Sequence, residues 1–334
     1  MRKGGKAPLT PATQNRKGDK LMLLSTSQQR QRRRDRVLAK LWKHRFIYLL
    51  LIPGVLFIII FNYIPMYGIT LAFKKYMASD GILGSPWIGL TNFKKLFAQP
   101  DFWRSLRNTV VISLQRIVFE FPVPIILALM LNEINGRLGK RVLQTVYTFP
   151  YFLSWIIVYG LIFNLLSDNG FVNYILVSLG GEKTALLTSR SFFRPLLYIS
   201  SNWKGMGWGA IIFLASITSI NQELYESAVL DGASRWKQTW YITLPCIRPT
   251  IAIMLILAVG NTMNAGFDQI FVLYNPSVYE VSDILDTYIY RRAFSTGSNF
   301  GQSTAITLFK AVINFALLFA ANAGAKLMGE EGIY

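Results

Sequence analysis

The sequence predicts an all-α integral membrane protein with about six transmembrane helices. Of its 334 residues, 52% are hydrophobic and only 16% are charged, which is less charge than a soluble domain of this length carries. Several windows of about 20 apolar residues follow one another along the chain, and a helix needs this length to cross a bilayer. Much of the formal net charge of +18 lies before the first apolar window.

Residues 1–45 form a basic segment, which we expect to be disordered and cytoplasmic. It contains the run QRQRRRDRVLAKLWKHR, which ends at Arg45. Such a run binds nucleic-acid phosphates by counterion release, or it lies beside anionic lipid as a cytoplasmic flank. A hydrophobic span starts directly after it, so the positive-inside rule favours the flank and predicts no nucleic-acid partner. The basic lead is too long for a signal peptide, so the first span is expected to remain uncleaved.

The six spans are predicted at about 46–66, 108–131, 142–166, 195–219, 247–270 and 304–326. The basic flank places the N-terminus in the cytoplasm, and loops 132–141 and 220–246 then lie on the cytoplasmic side. The three remaining loops face outward. Prolines inside the first three spans predict kinks in those helices.

The reactive side chains of the sequence exclude most catalytic and metal chemistry. Cys246 is the only cysteine and His44 the only histidine, so an intrachain disulfide, a His/Cys metal site and a Ser/His/Asp catalytic set are excluded. The segment GRLGKR lacks the glycine spacing and the Ser/Thr of a phosphate-binding loop. We therefore predict no catalytic residue, no metal and no cofactor in this chain, and any energy from ATP has to come from a partner.

The loop before the fifth span is polar and charged, although the chain on both sides of it is apolar. Its sequence is YESAVLDGASRWKQTWYITLP, residues 225–245. The pattern predicts a short helix at 222–230, which ends at Gly232 because glycine tolerates left-handed backbone geometry. A second short helix is predicted from about Ser234, and Pro245 is expected to mark the turn into the fifth span.

Two large aromatic side chains distinguish the second of these helices. Trp236 and Trp240 are four residues apart, so they are neighbours on its surface. Aromatic side chains beside small residues and a carboxylate are typical of a surface that docks another protein. They are also typical of an amphipathic hairpin that lies on the bilayer, and the physical pattern alone leaves both interpretations open.

Several positions of the 222–245 loop have a fixed spacing, E-x-A-x-x-x-G followed by I-x-L-P: Glu226, Ala228, Gly232, Ile242, Leu244 and Pro245. This pattern resembles the E-A-A loop of binding-protein-dependent ABC importer permeases, with Ser227 where that family usually has a second small residue, alanine. In that family the loop is a cytoplasmic coupling helix that fits into a groove of the ATPase subunit. The resemblance implies that Glu226 and Ala228 enter that groove, and it favours the docking interpretation.

Three softer motifs are similar to those of sugar-type permeases: WIGLTNFKKLF, GNTMNAGFDQIFVLYNP and ILDTYIYRRAF. The last two resemble the branch that imports oligosaccharides or polysaccharide fragments. The resemblance implies an importer in a bacterial inner membrane, with residues 46–334 as its transmembrane domain. It also implies three partners, namely a cytoplasmic ATPase dimer that binds ATP and Mg, a second permease that is a different homologous chain, and an extracytoplasmic solute-binding protein.

Polar residues near the end of the fifth span are candidates for the substrate pathway: Asn261, Asn264, Asp268 and Gln269. Amides and carboxylates in a span usually face the protein interior or a water-filled path, and the resemblance places these positions in the sugar cavity. Hydrogen bonding between helices is the alternative role.

Other charged and aromatic groups in the spans are expected to have structural roles. Arg116 and Glu120 are four residues apart on a helix, so we predict that they neutralise each other. Lys204 and Lys310 are expected to snorkel to the membrane interface. The tryptophans of the spans, including Trp155, are expected to belong to an interfacial belt.

Three alternative functions remain open from the sequence. An ABC permease for another small solute would share the same loop. A secondary transporter driven by an ion gradient would need a titratable carboxylate in a span, and Glu120 is the best candidate. A membrane-anchored nucleic-acid or regulatory protein would depend on the basic segment at 1–45.

Overall fold

The computed structural model describes residues 42–134, 136–294, 299–327 and 329. Most of the basic segment predicted at 1–45 therefore lies outside the described residues. The chain divides into two compact units, one up to Gly68 and one from Ile69. Within the described ranges the secondary structure is helical, apart from an isolated bridge between Lys74 and Trp87, which confirms the predicted all-α class.

The α-helices in the described ranges are α1 Arg45–Ile58, α2 Ile64–Met66, α3 Gly81–Gly84, α4 Thr91–Phe97, α5 Pro100–Phe119, α6 Pro122–Glu133, α7 Arg137–Thr148, α8 Trp155–Leu166, α9 Phe171–Ser178, α10 Arg190–Thr218, α11 Gln222–Leu230, α12 Arg235–Gln238, α13 Leu244–Gly260, α14 Phe267–Leu273, α15 Tyr279–Ser282, α16 Leu285–Phe294 and α17 Phe300–Leu327. Five 3-10 segments lie at Tyr67–Phe73, Phe149–Phe152, Leu186–Thr188, Thr262–Asn264 and Pro276–Val278. Two π-helical segments lie at Ile59–Tyr63 and Thr239–Thr243.

Helix α1 forms most of the first unit that the structure describes. After Arg45 its residues are predominantly apolar, and none of them is buried, as expected of a helix that faces lipid. The π-helical turn Ile59–Tyr63 lies just before Pro65, which has no N–H to continue the regular hydrogen-bond ladder. The predicted span at 46–66 therefore exists as a helix with one widened turn.

Five stretches of the described chain are helical, long and apolar enough to cross a membrane: Arg45–Phe73, Pro100–Glu133, Trp155–Ser178, Arg235–Gly260 and Phe300–Leu327. They contain the predicted spans at 46–66, 108–131 and 304–326. The predicted fourth span lies in α10, a helix of 29 residues, long enough at about 1.5 Å per residue to cross the hydrocarbon core. Helix α10 contains polar residues such as Asn202 and Lys204, so it is less apolar than the five stretches above. The number of six transmembrane spans therefore stays a prediction.

The third predicted span differs from the structure. A continuous helix was expected at 142–166, but α7 ends at Thr148 and a 3-10 segment containing Pro150 separates it from α8. Ser154 then begins α8 by accepting a hydrogen bond from the Ile157 N–H at 3.3 Å. Proline ends the first helix because it cannot continue the hydrogen-bond ladder, and the apolar stretch resumes only at Trp155.

The second unit is built around three clusters of buried apolar side chains. One cluster joins α5, α8, α10 and α14, and includes Ile112, Val158, Leu197 and Ile270. Another joins α6, α10 and α13, and a third joins α4, α5, α16 and α17. Helices α5 and α10 each take part in two clusters, so together they form the centre of this unit.

The WIGLTNF motif has a structural role in this unit. The Asn92 side-chain amide donates to the carbonyl oxygens of Ala72 at 2.9 Å and Lys74 at 3.0 Å, which end the 3-10 segment Tyr67–Phe73. The buried Lys74 ammonium donates to the Ile82 carbonyl at 2.8 Å and lies over the Trp87 ring. The motif therefore satisfies carbonyl groups that the end of a helical segment leaves free.

Asp283 is a fully buried carboxylate that fixes α16 to α5. Its two oxygens accept from Arg291 at 2.7 and 2.6 Å, from Ser105 at 3.0 Å and from Thr287 at 2.8 Å. Burial acts to lower the pKa of Arg291, but the hydrogen bonds and the charge of Asp283 outweigh it and raise that pKa above its ordinary value. Because the carboxylate is paired on all sides, its burial is compatible with a stable fold.

We predict that Asp283→Asn lowers the stability of the purified protein by about 3–5 kcal/mol, because it leaves the Arg291 charge without its partner. The matched control is Glu280→Gln, which breaks the exposed pair with Arg190 and is expected to cost at most about 1 kcal/mol. The midpoint of thermal unfolding in detergent measures both. Equal midpoints for the two variants would contradict the role assigned to Asp283.

Candidate functional site

The loop between α10 and α13, residues 219–243, is called loop 4–5 here. Its first helix, α11, covers Gln222–Leu230 as predicted. Gly232 adopts the predicted left-handed conformation with φ of 75°. The N–H of Ala233 donates to the Ala228 carbonyl at 2.8 Å and the N–H of Gly232 donates to the Val229 carbonyl at 3.0 Å, a Schellman motif that ends the helix.

The second helix of loop 4–5 starts as predicted, with the Ser234 hydroxyl accepting from the Lys237 N–H at 3.4 Å. The expected turn at Pro245 is wrong, because the chain runs helically from Arg235 to Gly260. The π-helical turn Thr239–Thr243 widens the helix just before the proline and removes the need for its missing N–H. Loop 4–5 is thus rigidly continuous with the fifth span.

One face of loop 4–5 is exposed and the other is packed. Glu226 and Ser227 are exposed, and the exposed Trp236 and Trp240 rings lie edge to face at 6.0 Å, as neighbours. On the packed side, Ile242 and Leu244 contact the apolar cluster of α6, α10 and α13, as does Tyr225, and Ala228 is half-buried. The Tyr225 hydroxyl and the Thr243 hydroxyl form a hydrogen bond at 2.9 Å that ties α11 to the start of α13.

A cavity of about 900 Å³ lies in the second unit, between α5, α6, α8, α10, α13, α14 and α16. Its wall includes a break in the fifth span, which was predicted as one helix at 247–270. Helix α13 ends at Gly260, and Ala265 and Gly266 take left-handed conformations before α14 begins at Phe267. Irregular backbone at membrane depth is tolerated where it is buried in protein or lines a cavity, and this break does both.

Side chains from neighbouring helices satisfy the backbone groups of this break. Ser113 of α5 donates to the Thr262 carbonyl, and the Asn314 side chain of α17 accepts from the Met263 N–H at 3.1 Å. The Asn264 N–H donates to the Asn261 carbonyl at 3.0 Å. The break is therefore a fixed feature of the fold.

Arg116 crosses from α5 to the break and is the centre of a polar network. Its guanidinium donates to Glu120 at 3.0 and 3.1 Å, to Ser201 at 3.2 Å and to the side-chain oxygen of Gln269. Gln269 in turn donates to Ser200 at 2.8 Å. The predicted pair of Arg116 and Glu120 is present, and it also joins α5 to α10 and α14.

The four predicted pathway residues have different environments. Asn261, Asn264 and Asp268 all line the cavity and are exposed to it, and the Asn264 amide donates to Asn261. Gln269 is only 1% exposed, and its amide is engaged by Arg116, Ser200 and the Leu197 carbonyl. The first three can therefore meet a solute directly, and Gln269 is placed to position Arg116.

The α16 wall of the cavity was not predicted from the sequence. Asp286, Tyr290 and Phe294 line it, and their spacing of four puts them on one helix face. Lys310 was expected to reach the membrane interface, but it pairs with Asp286 at 2.7 Å. Trp155, expected in an interfacial belt, also lines the cavity. The signal that could have predicted this wall was the spacing of Asp286, Tyr290 and Phe294 in the stretch DTYIYRRAF.

This arrangement, a bundle of apolar helices with a break that places polar side chains in the wall of a cavity, is typical of a membrane transport protein. The family model "Binding-protein-dependent transport system inner membrane component" matches residues 120–328. The chain therefore belongs to this family of inner-membrane transport components.

Two curated relatives from Bacillus subtilis (strain 168) match over nearly the whole chain. The polygalacturonan/rhamnogalacturonan transport system permease protein YteP is 44% identical over 90% of this chain and 94% of its own length. Protein LplB is 43% identical over 89% of this chain and 93% of its own length.

Two solved structures have the same fold. One is a crystal structure of a bacterial ABC transporter involved in the import of the acidic polysaccharide alginate, with a TM-score of 0.81 and 38% identity, covering 87% of this chain and 98% of that chain. The other is a bacterial alginate ABC transporter in complex with an alginate pentasaccharide-bound periplasmic protein, with a TM-score of 0.80 and 37% identity, covering 88% of this chain and 98% of that chain.

We predict that Gly266→Ala destabilises the cavity wall by about 1–3 kcal/mol. Gly266 has φ of 80°, and an added Cβ would lie 2.6 Å from Nη2 of Arg116, so both the backbone and the guanidinium would have to move. Gly205→Ala is the matched control, because Gly205 also lines the cavity and its added Cβ would meet open space. The thermal unfolding midpoint is expected to fall for Gly266→Ala and to stay unchanged for Gly205→Ala. A fall of the same size in both variants would refute the role of the close contact between Gly266 and Arg116.

Proposed function

We propose that this chain is the transmembrane permease of an ATP-driven importer for an oligosaccharide or polysaccharide fragment. The observation that carries the proposal is the geometry of loop 4–5, which presents an exposed acidic and aromatic face on a support that is continuous with the cavity-lining span. Relatives whose names include polygalacturonan and alginate support the class of substrate.

In this proposal loop 4–5 docks on a cytoplasmic ATPase dimer, which binds the ATP and Mg. Glu226, Ser227 and Ala228 form the part of α11 that enters a groove of the ATPase, and Gly232 sets the angle of the following helix. Exposed aromatic side chains at the centre of an interface supply much of its energy, and Trp236 is 71% exposed. The N-terminus, with its basic segment, then lies in the cytoplasm.

Two further partners complete the proposed importer. A second permease, a different homologous chain, supplies the other half of the pore. An extracytoplasmic binding protein delivers the sugar to the outer loops, as the complex with a periplasmic protein described for a similar transporter suggests. ATP binding closes the ATPase dimer and moves loop 4–5, and the rigid fifth span carries this movement to the cavity.

The cavity wall suits hydroxyl groups. The side chains of Asn261 and Asn264 supply both donors and acceptors, and the Asp268 carboxylate supplies acceptors. Binding through several such hydrogen bonds is specific and readily reversible, which a transported solute requires.

The alternative of an ion-gradient transporter is less well supported. Such a protein needs a carboxylate that exchanges its proton or ion during transport. Glu120 was the candidate, but its oxygens accept hydrogen bonds from Arg116 and from Ser201 at 2.9 Å. These contacts tie Glu120 to Arg116 and to α10, which is a structural role.

We predict that Glu226→Lys abolishes ATP-dependent uptake, because it reverses the charge at the docking face while the protein still inserts in the membrane. Uptake of labelled oligosaccharide by cells, and co-purification of the ATPase with the permease, measure the effect. Glu133→Lys, which changes another exposed acid at the end of α6 and outside loop 4–5, is the control and is expected to retain both. Normal uptake by Glu226→Lys with the ATPase bound would show that the coupling surface is wrongly assigned.

A further inference from the structure

We propose that the cavity face of α16 is a sugar-stacking platform, on which Tyr290, with Phe267 and Phe294 beside it, receives a ring of the transported oligosaccharide. The inference rests on the proposed function and adds a subsite to it, separate from the amides of the broken fifth span. Its ligand class is a pyranose chain longer than one sugar, whose C–H face contacts the rings and whose hydroxyl groups reach polar neighbours.

Three aromatic side chains form a continuous strip along the cavity wall. The Tyr290 ring lies 6.4 Å from Phe267 and 5.1 Å from Phe294, and all three line the cavity. Tyr290 is 40% exposed and Phe294 is 71% exposed, so their faces are accessible to a solute. From Asp286 to Phe294 the helix rises about 12 Å, at 1.5 Å per residue, which is longer than one sugar ring.

The strip is held rigid from behind. Phe271 lies 4.7 Å from Tyr290 and 5.1 Å from Phe267, so it supports both rings. On a neighbouring face of α16, the next residue, Arg291, is locked to the buried Asp283. A platform fixed before the ligand arrives loses little conformational entropy on binding, which favours affinity.

Polar groups lie beside the strip in the same cavity. Asp286 lies one turn before Tyr290 on the same face, and its pairing with Lys310 places a carboxylate and an ammonium together at the edge of the rings. Asp268 follows Phe267 directly and lines the same cavity. A pyranose has an apolar C–H face and a rim of hydroxyls, so aromatic rings beside charged and amide groups match it.

These polar neighbours favour a sugar over a second permease as the occupant of the strip. A protein segment that entered the cavity to cover Tyr290 and Phe294 would also desolvate polar groups of that cavity, in which Asn261, Asn264 and Asp268 are exposed. Desolvating those groups costs free energy unless each finds a partner. A solute rich in hydroxyls supplies such partners.

The test uses the full chain, co-expressed with its partner subunits and reconstituted in liposomes with ATP inside. The probes are a panel of neutral and uronic-acid disaccharides and pentasaccharides, restricted to those that the unchanged complex imports. We expect Tyr290→Ala to raise KM for pentasaccharides about tenfold, because one aromatic contact with the sugar is lost. KM for disaccharides should stay nearly unchanged. Asn264→Ala, at the inner polar site, is expected to raise KM for both lengths.

Two control variants separate the ring from general damage. Tyr290→Phe keeps the ring and should behave as the unchanged protein. Tyr48→Ala removes a tyrosine of α1 that is 45% exposed and lies outside the cavity lining, and should leave both KM values unchanged.

The outcomes distinguish this inference from the proposed function. If the unchanged complex imports none of the probes with ATP, the proposed function fails and the platform fails with it. If it imports them and Tyr290→Ala has unaltered KM for pentasaccharides, the platform alone is refuted. Loss of the second permease on purification of Tyr290→Ala would instead assign the strip to a subunit interface and would also overturn the proposal.

Discussion

The Arg116 guanidinium holds three helices together at the point where the fifth span loses its helical hydrogen bonds. It reaches Glu120 on its own helix, Ser201 on α10 and Gln269 on α14. Unpaired backbone groups and charges are costly in a membrane. Ser113 and Asn314 satisfy backbone groups of the break, and the Arg116 charge beside it is itself paired with Glu120. The cavity and its polar wall depend on this arrangement.

A second feature connects the cavity to the far end of the same span. From Arg235 the chain stays helical to Gly260, a length of about 39 Å at 1.5 Å per residue. Tyr225 ties α11 to the start of α13, and apolar contacts fix the same region to α6 and α10. In the proposed mechanism, a displacement of loop 4–5 would be carried along this helix to the break at Asn261, since packed helices move as rigid bodies.

Local rules predicted the parts of the structure that depend on neighbouring residues. The bounds of α11, the left-handed Gly232 and the pairing of Trp236 with Trp240 all follow from spacings of a few residues. The break in the fifth span was missed because its sequence stays apolar on both sides, and distant side chains from α5 and α17 stabilise it. The course of the helix through Pro245 was missed for a similar reason: a widened turn removes the cost of proline, and spacing does not reveal it.

If loop 4–5 controls the cavity, an event at this loop changes the access of solvent to the break in the fifth span. The reactivity of a thiol at the break tests this, using Asn264→Cys in a Cys246→Ser background, with a membrane-impermeant reagent added from outside. We expect that binding of a non-hydrolysable ATP analogue to the intact transporter makes this thiol reactive, and that the thiol is protected without nucleotide. Equal reactivity in both states would show that loop 4–5 does not control the cavity.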